Sequence, residues 1–335
     1  MPLADAVLSL PLELERYELE RRESALSPEF TRVTTTVVLH GRGERGEGED
    51  VTYASEDHEG FPTGLPLAGS WTLGDFSAAL DRHDLFGHEL RRGDFRDYRR
   101  WAFESAALDL ALRQAGRSLG DVLGRAYRPV RFVASTRGDA FAWLAANPGL
   151  ELKLDPGPEW ERAFMERLAA TGRVRVLDLK GYYRGTIVDN PPDPALYRTV
   201  AEVFPDAVIE DAWLEDGCRD ALADAEQRLS FDAPIHSLAD LDALPLEPRW
   251  LNIKPSRFGT IARLLECIEA CEARGIRMYG GGQVELGRGR RHIQVLASLF
   301  YADNPNDTAP SVYNEGGPRP GLPASPLPPP EAIGF

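Results

Sequence analysis

Short apolar segments that each close on a charged side chain constrain this chain's fold more than any other feature of the sequence. From Val130 onward, "RFVAS", "LELKL", "VRVLDL", "AVIED", "RLSFD", "WLNIK" and "IRMYGGG" alternate with helix-patterned stretches such as "EWERAFMERLAATG" and "TIARLLECIEACEARG". Such alternation predicts βαβα units and a parallel sheet. With no glycine-rich phosphate loop after the first segment, a closed barrel is expected rather than a dinucleotide-binding sheet.

Lys153, Asp178, Glu210, Asp232 and Lys254 close five consecutive segments at steps of 25, 32, 22 and 22 residues. A barrel of ~250 residues in eight units allots about 30 residues to each. All five side chains are therefore expected at the carboxyl-end face, where barrel enzymes carry their chemistry. A single strand-end carboxylate is ordinarily a turn or N-cap residue. Five polar ends in register predict a site. Converging carboxylates repel unless positive charge sits among them, and a hard divalent cation such as Mg²⁺ suits oxygen donors while keeping positions open for a substrate. A lysine beside them can take a proton from carbon or return one, and the cation stabilises the charge that builds on a carboxylate deprotonated at its α-carbon.

The segment before Val130 reads differently. "RVTTTVVLHGRGERGEGED" is a β-rich run followed by a Gly-rich charged turn, which predicts an antiparallel hairpin. "YRRWAFESAALDLALRQAGRSLGDVLG" places Trp101, Ala102, Leu108 and Leu112 at helical spacing and closes near Gly116. These elements predict an α+β lobe over residues 1–127, followed by the barrel over 128–302. A Pro- and Gly-rich tail, "GGPRPGLPASPLPPP", falls within 303–335 and is expected as extended coil on another surface.

The formal charge of −15 argues against nucleic acid or an anionic membrane as partner. Cys218, Cys267 and Cys271 are too few for a disulfide framework and lack a nearby histidine for zinc. Without a basic leader or an apolar run of ~20 residues, a cytoplasmic protein is expected. "GRGERGEG" lacks the following helix that a phosphate loop needs.

On these residues the chain resembles the enolase superfamily, in its muconate-lactonizing-enzyme subgroup. "RWAFESAALDLALRQAGRSLGDVLG" is similar to the family's helix leading into the barrel, and "LELKLD" to its Lys-x-Lys strand, whose second lysine is here Lys153. "RVLDLKG" and "VIEDAW" resemble the strands that give metal ligands, here Asp178 and Glu210. "LNIKPSRFGT" resembles the strand of the opposite lysine, Lys254, and "GGGQVELGRG" the next strand end, with Gln283 and Glu285 facing substrate. The resemblance implies a modified (β/α)₇β TIM-like barrel under an N-terminal α+β capping domain completed by the C-terminal tail. It also implies Mg²⁺, with Mn²⁺ as a substitute, and a small-molecule carboxylate substrate. It leaves oligomeric state open, a homo-oligomer included.

The departures from the pattern are specific. Glu151 replaces the first lysine of Lys-x-Lys, and Lys180 stands where an amide is usual, assigning it to the substrate side. In "SFDAPIHS" the third ligand is Asp232 in one register, while His236 takes its place in another. The equal 22-residue steps favour Asp232. Paired lysines occur in o-succinylbenzoate synthases, cycloisomerases, and N-acylamino-acid or dipeptide racemases. The proline after Lys254 favours the synthase form. A different class, a non-catalytic binding protein, arises if Lys180 neutralises the carboxylates without a metal.

Overall fold

The computed structural model describes residues 2–27, 30–136, 138–186, 188–330 and 333–335. Five strands belong to the N-terminal lobe: β1 (Pro11–Leu14), β2 (Arg16–Ser27), β3 (Phe30–Gly41), β4 (Glu44–Asp50) and β5 (Gly69–Thr72). β2, β3 and β4 form an antiparallel sheet, and β1 pairs with β5. The turn between β3 and β4 is only Arg42–Gly43, both with left-handed backbone (φ 52° and 77°), which matches the twist of a two-residue hairpin.

The Gly-rich run read as a turn is therefore mostly strand. Its glycines are there for packing. The helix Phe95–Gln114 lies on β4 so closely that a Cβ on Gly48 would stand 2.0 Å from the Ala102 carbonyl oxygen. One on Gly46 would stand 2.3 Å from that of Ala106. Gly48→Ala is expected to cost about 1–3 kcal/mol of stability, measured by urea unfolding. Gly64→Ala, with nothing within 4 Å of its Cβ, serves as the neutral control.

The second body is a parallel sheet of seven strands in chain order: β6 (Ala134–Thr136), β7 (Leu152–Leu154), β8 (Val174–Asp178), β9 (Val208–Glu210), β10 (Leu229–Phe231), β11 (Trp250–Ile253) and β12 (Arg277–Gly280). Every strand is followed by helix, as the alternation predicts. β7, β9 and β10 are buried throughout, as strands covered on both faces are, whereas β6 exposes Ser135.

Between β12 and β6 the barrel is closed by a stitch instead of an eighth strand. Asp307 N–H donates to the Gly280 carbonyl at 2.8 Å, and Gly280 N–H donates to Asn306 Oδ1 at 2.7 Å. On the other side, Val133 N–H donates to the Asn306 carbonyl at 2.8 Å. The Asn306 amide also donates to the Arg131 carbonyl at 2.9 Å.

The two bodies are tied by buried polar groups. Glu49 on β4 accepts the N–H groups of Leu286 (2.7 Å), Gly287 (3.0 Å) and Gly289 (2.9 Å) beyond β12. Arg32 on β3 donates to the carbonyl of Gln283 at 3.0 Å. The tail returns to the lobe, where Phe335 N–H donates to Asp109 at 2.8 Å and its ring packs on Trp101. All three cysteines are buried and unbridged. Among the described residues, no helix is long and apolar enough to cross a membrane.

Candidate active site

The barrel's parallel register brings the acidic strand ends together. Asp178 and Glu210 are the last residues of β8 and β9 and are partners across the sheet. Asp232 and Lys254 follow directly after β10 and β11, and Lys153 sits within β7. Val176 of β8, Val208 of β9 and Tyr279 of β12 form a small buried cluster. All five strand-end residues are buried, Lys254 being the most accessible at 7%.

Two lysines flank the acids. The Lys153 ammonium is ion-paired with Glu210 and lies 3.2 Å from Asp178 Oδ2. On the far side, Lys254 Nζ is 2.8 Å from Asp232 Oδ2. That oxygen also meets Arg257 Nη2 at 3.3 Å and the Tyr183 hydroxyl, which donates to it at 3.0 Å. Glu210 receives further bonds from the Tyr279 hydroxyl and, at 3.0 Å, from the Asn252 amide. The Lys180 ammonium, placed by sequence toward the substrate, is ion-paired with Asp178.

Burial and charge together move the carboxyls of Asp178, Glu210 and Asp232. Burial alone would raise the Asp178 carboxyl, but Lys180 and Lys153 outweigh it and hold it below the usual carboxylate range. Asp232 is likewise raised by burial and brought down, on balance, by Arg257 and Lys254. Glu210 goes the other way, since burial and the neighbouring acids exceed the help from Lys153.

Asp211 joins the cluster although the sequence pattern does not select it. It follows β9 with a left-handed backbone (φ 52°), which turns its carboxyl into the mouth. There it accepts the N–H of Asp232 at 2.8 Å and that of Ala233 at 3.0 Å. Burial and the charges of Asp232 and Asp178 push its carboxyl up to about 7. Oxygens of Asp178, Glu210 and Asp211 lie within 4.8 Å of one another, a spacing able to hold a metal ion. Its only signal in sequence is its place beside Glu210 in "VIEDAW".

The donors present suit a hard divalent cation. All are carboxylate oxygens, and Asp232 Oδ1 is buried with no hydrogen-bond partner among the described residues. His236 lies outside this group. Its Nδ1 is 3.0 Å from the Arg257 carbonyl oxygen and 3.8 Å from Asp97.

Gln283 and Glu285 lie beyond β12, where the barrel meets the lobe. Gln283 bonds the Tyr53 hydroxyl at 3.0 Å and the Tyr98 hydroxyl at 3.2 Å. Glu285 accepts the Gln283 N–H at 2.6 Å and pairs with Arg290 at 3.1 Å. Between them Val284 is held at φ 57°, a costly conformation for a β-branched residue.

Comparison with known proteins agrees with this architecture. A curated N-succinylamino acid racemase from Amycolatopsis sp is 29% identical over 245 residues, 67% of this chain and 61% of that protein. Muconate lactonizing enzyme from Pseudomonas fluorescens, solved with muconolactone, superposes with a TM-score of 0.65 at 17% identity, covering 89% of this chain and 88% of the other. Dipeptide epimerase from Methylococcus capsulatus, solved with Mg ion, gives a TM-score of 0.62 at 19% identity, covering 88% and 90%. Residues 5–122 and 126–315 match the N- and C-terminal parts of one family, described as "Domain of unknown function (DUF8230)". The lobe over a parallel barrel has the fold of solved enolase-superfamily members, and this chain belongs to the DUF8230 family.

Proposed function

We propose that this chain removes the proton α to a carboxylate of a small organic acid, through an enediolate, at a divalent-cation site formed by Asp178, Glu210 and Asp232. The observation that carries this reading is the pair of amines, Lys153 and Lys254, bonded to acids from opposite flanks of the same strand ends. The cation, Mg²⁺ or Mn²⁺, would stabilise the negative charge on the substrate carboxylate when bound. Lys153 takes the proton, and the acids that now hold its amine protonated are the ones assigned to the cation. Lys254 stands across the mouth, able to return a proton or to stabilise charge. Gln283, Glu285 and the Tyr53 and Tyr98 hydroxyls orient the rest of the substrate from the lobe side.

For the overall reaction we assign a dehydration like that of o-succinylbenzoate synthase, a syn elimination of water from a cyclohexadiene carboxylate. A second reading, racemisation of an N-acylamino acid, is favoured by the similarity to the Amycolatopsis racemase. Both begin with the same proton abstraction.

The test is a Mg²⁺ titration of chelator-treated protein, read by calorimetry and by turnover of both substrate classes. Activity is expected to vanish on chelation and return with Mg²⁺. Asp232→Asn is expected to weaken Mg²⁺ binding at least tenfold, and His236→Asn to leave it unchanged. A larger effect from Asp211→Asn would transfer the third ligand to Asp211, as the 4.8 Å grouping allows. Retention of full activity in chelator would remove the cation from the reaction.

A further inference from the structure

Lys180 is the one cation of the cluster that shares a three-residue loop with the acid it neutralises. Its backbone is left-handed (φ 55°), and its own N–H donates to Asp178 Oδ1 at 3.1 Å. This curl brings the Lys180 ammonium back onto Asp178 Oδ2, the oxygen that also faces Lys153 at 3.2 Å. A second resting place is close by, since the same ammonium is 3.7 Å from Asp155 Oδ1 and 5.0 Å from the centroid of the Tyr183 ring. The side chain is only 14% exposed, so its charge is screened weakly.

Asp178 is thus capped by a tethered charge whose short loop keeps its effective concentration high. We propose that Lys180 is a built-in counter-ion that competes with the divalent cation for Asp178 and yields it by swinging toward Asp155. The inference rests on the cation site of the preceding section. It assigns to Lys180 control over how tightly that site loads. Where a neutral amide would leave Asp178 open, this chain must displace an ammonium first. The metal-free protein is held together by the same contact, because without it a buried carboxylate loses one of its two amines.

The experiment measures Mn²⁺ affinity of the full metal-free chain by the paramagnetic resonance signal of free Mn²⁺. Wild type is compared with Lys180→Asn and Lys180→Met, asparagine being chosen because it tolerates left-handed backbone. Both variants are expected to bind Mn²⁺ at least tenfold more tightly. Asp155→Asn, which removes the alternative resting place, is expected to bind it severalfold more weakly than wild type. Thermal unfolding gives an independent readout. Lys180→Met should melt below wild type without metal and at or above it in saturating Mn²⁺. Equal or weaker affinity in both Lys180 variants, with wild type still binding, would overturn the competition and leave the cation site standing. Absence of Mn²⁺ binding in all of these chains would overturn both.

Discussion

Lys153→Ala is expected to lower proton abstraction by about 10²–10⁴-fold, the range for loss of a positioned acid or base. The readout is exchange of the substrate α-proton with solvent deuterium, which reports abstraction even when turnover is blocked. Lys254→Ala then separates the two overall reactions. In an elimination only Lys153 handles the proton, so Lys254→Ala should still exchange and should lose only charge stabilisation, about 0.5–2 kcal/mol for a cation over a ring. In a racemisation each amine serves one enantiomer. Each variant should then lose racemisation while still exchanging the proton of one enantiomer. Full activity of either variant on the authentic substrate would exclude that lysine from the chemistry. Because Lys153 also neutralises Glu210 and Asp178, its replacement requires a folding control by circular dichroism.

Arg99→Met is expected to destabilise the protein by about 3–5 kcal/mol, the cost of leaving one partner of a buried pair alone. Arg99 is fully buried and donates to Asp50 at 2.8 Å, to the Leu85 carbonyl at 3.0 Å and to the Asp57 carbonyl at 2.7 Å. Its guanidinium is sandwiched between the rings of Phe61 (3.9 Å) and Phe86 (3.8 Å). One side chain therefore gathers β4, the loop before β5 and the loop that leads into the helix Phe95–Gln114. Burial would raise the Asp50 carboxyl, but Arg99 and His58 bring it below its ordinary value. A carboxyl lowered on folding stabilises the native state above its unfolded value of about 4, and the gain is lost as pH falls through the folded value. The Arg99→Met deficit, measured by urea unfolding, should accordingly be larger at pH 7 than at pH 3. Replacing Asp50 by leucine in the Arg99→Met background should recover part of the loss, since the stranded charge is then gone. A deficit under about 1 kcal/mol would show that the pair is no more than a surface bridge in effect.

The barrel is legible in the sequence because strands buried on both faces write themselves as apolar runs, and because five polar ends in register, unlike one, are not accounted for by turns and caps. The convergence of Lys153, Asp178, Glu210, Asp232 and Lys254 is legible in this way. Asp211 is not. Strand alternation sends the residue after Glu210 to the opposite face, and only its left-handed backbone turns it back. Lys180 shows the same limit, since its residue type is visible but its curl onto Asp178 is not. In sequence Gly46 and Gly48 fit a turn, because glycine signals both a bend and a close approach. Only the helix lying across β4 tells the two apart.

The Asn306 stitch also sets the order in which this molecule can be completed. Each barrel strand pairs with the one synthesised just before it, so the sheet can grow in step with translation. Its two outer edges, on β6 and β12, are joined among the described residues only by residues 302–307, which bond both sides. Until that segment is made the nascent chain exposes two unpaired strand edges, the kind of surface that recruits other chains. Closure is therefore a late event, made by one short segment of chain. A chain truncated just short of Asn306 would hold an open sheet, with the strand ends of the site aligned but not yet joined into a ring.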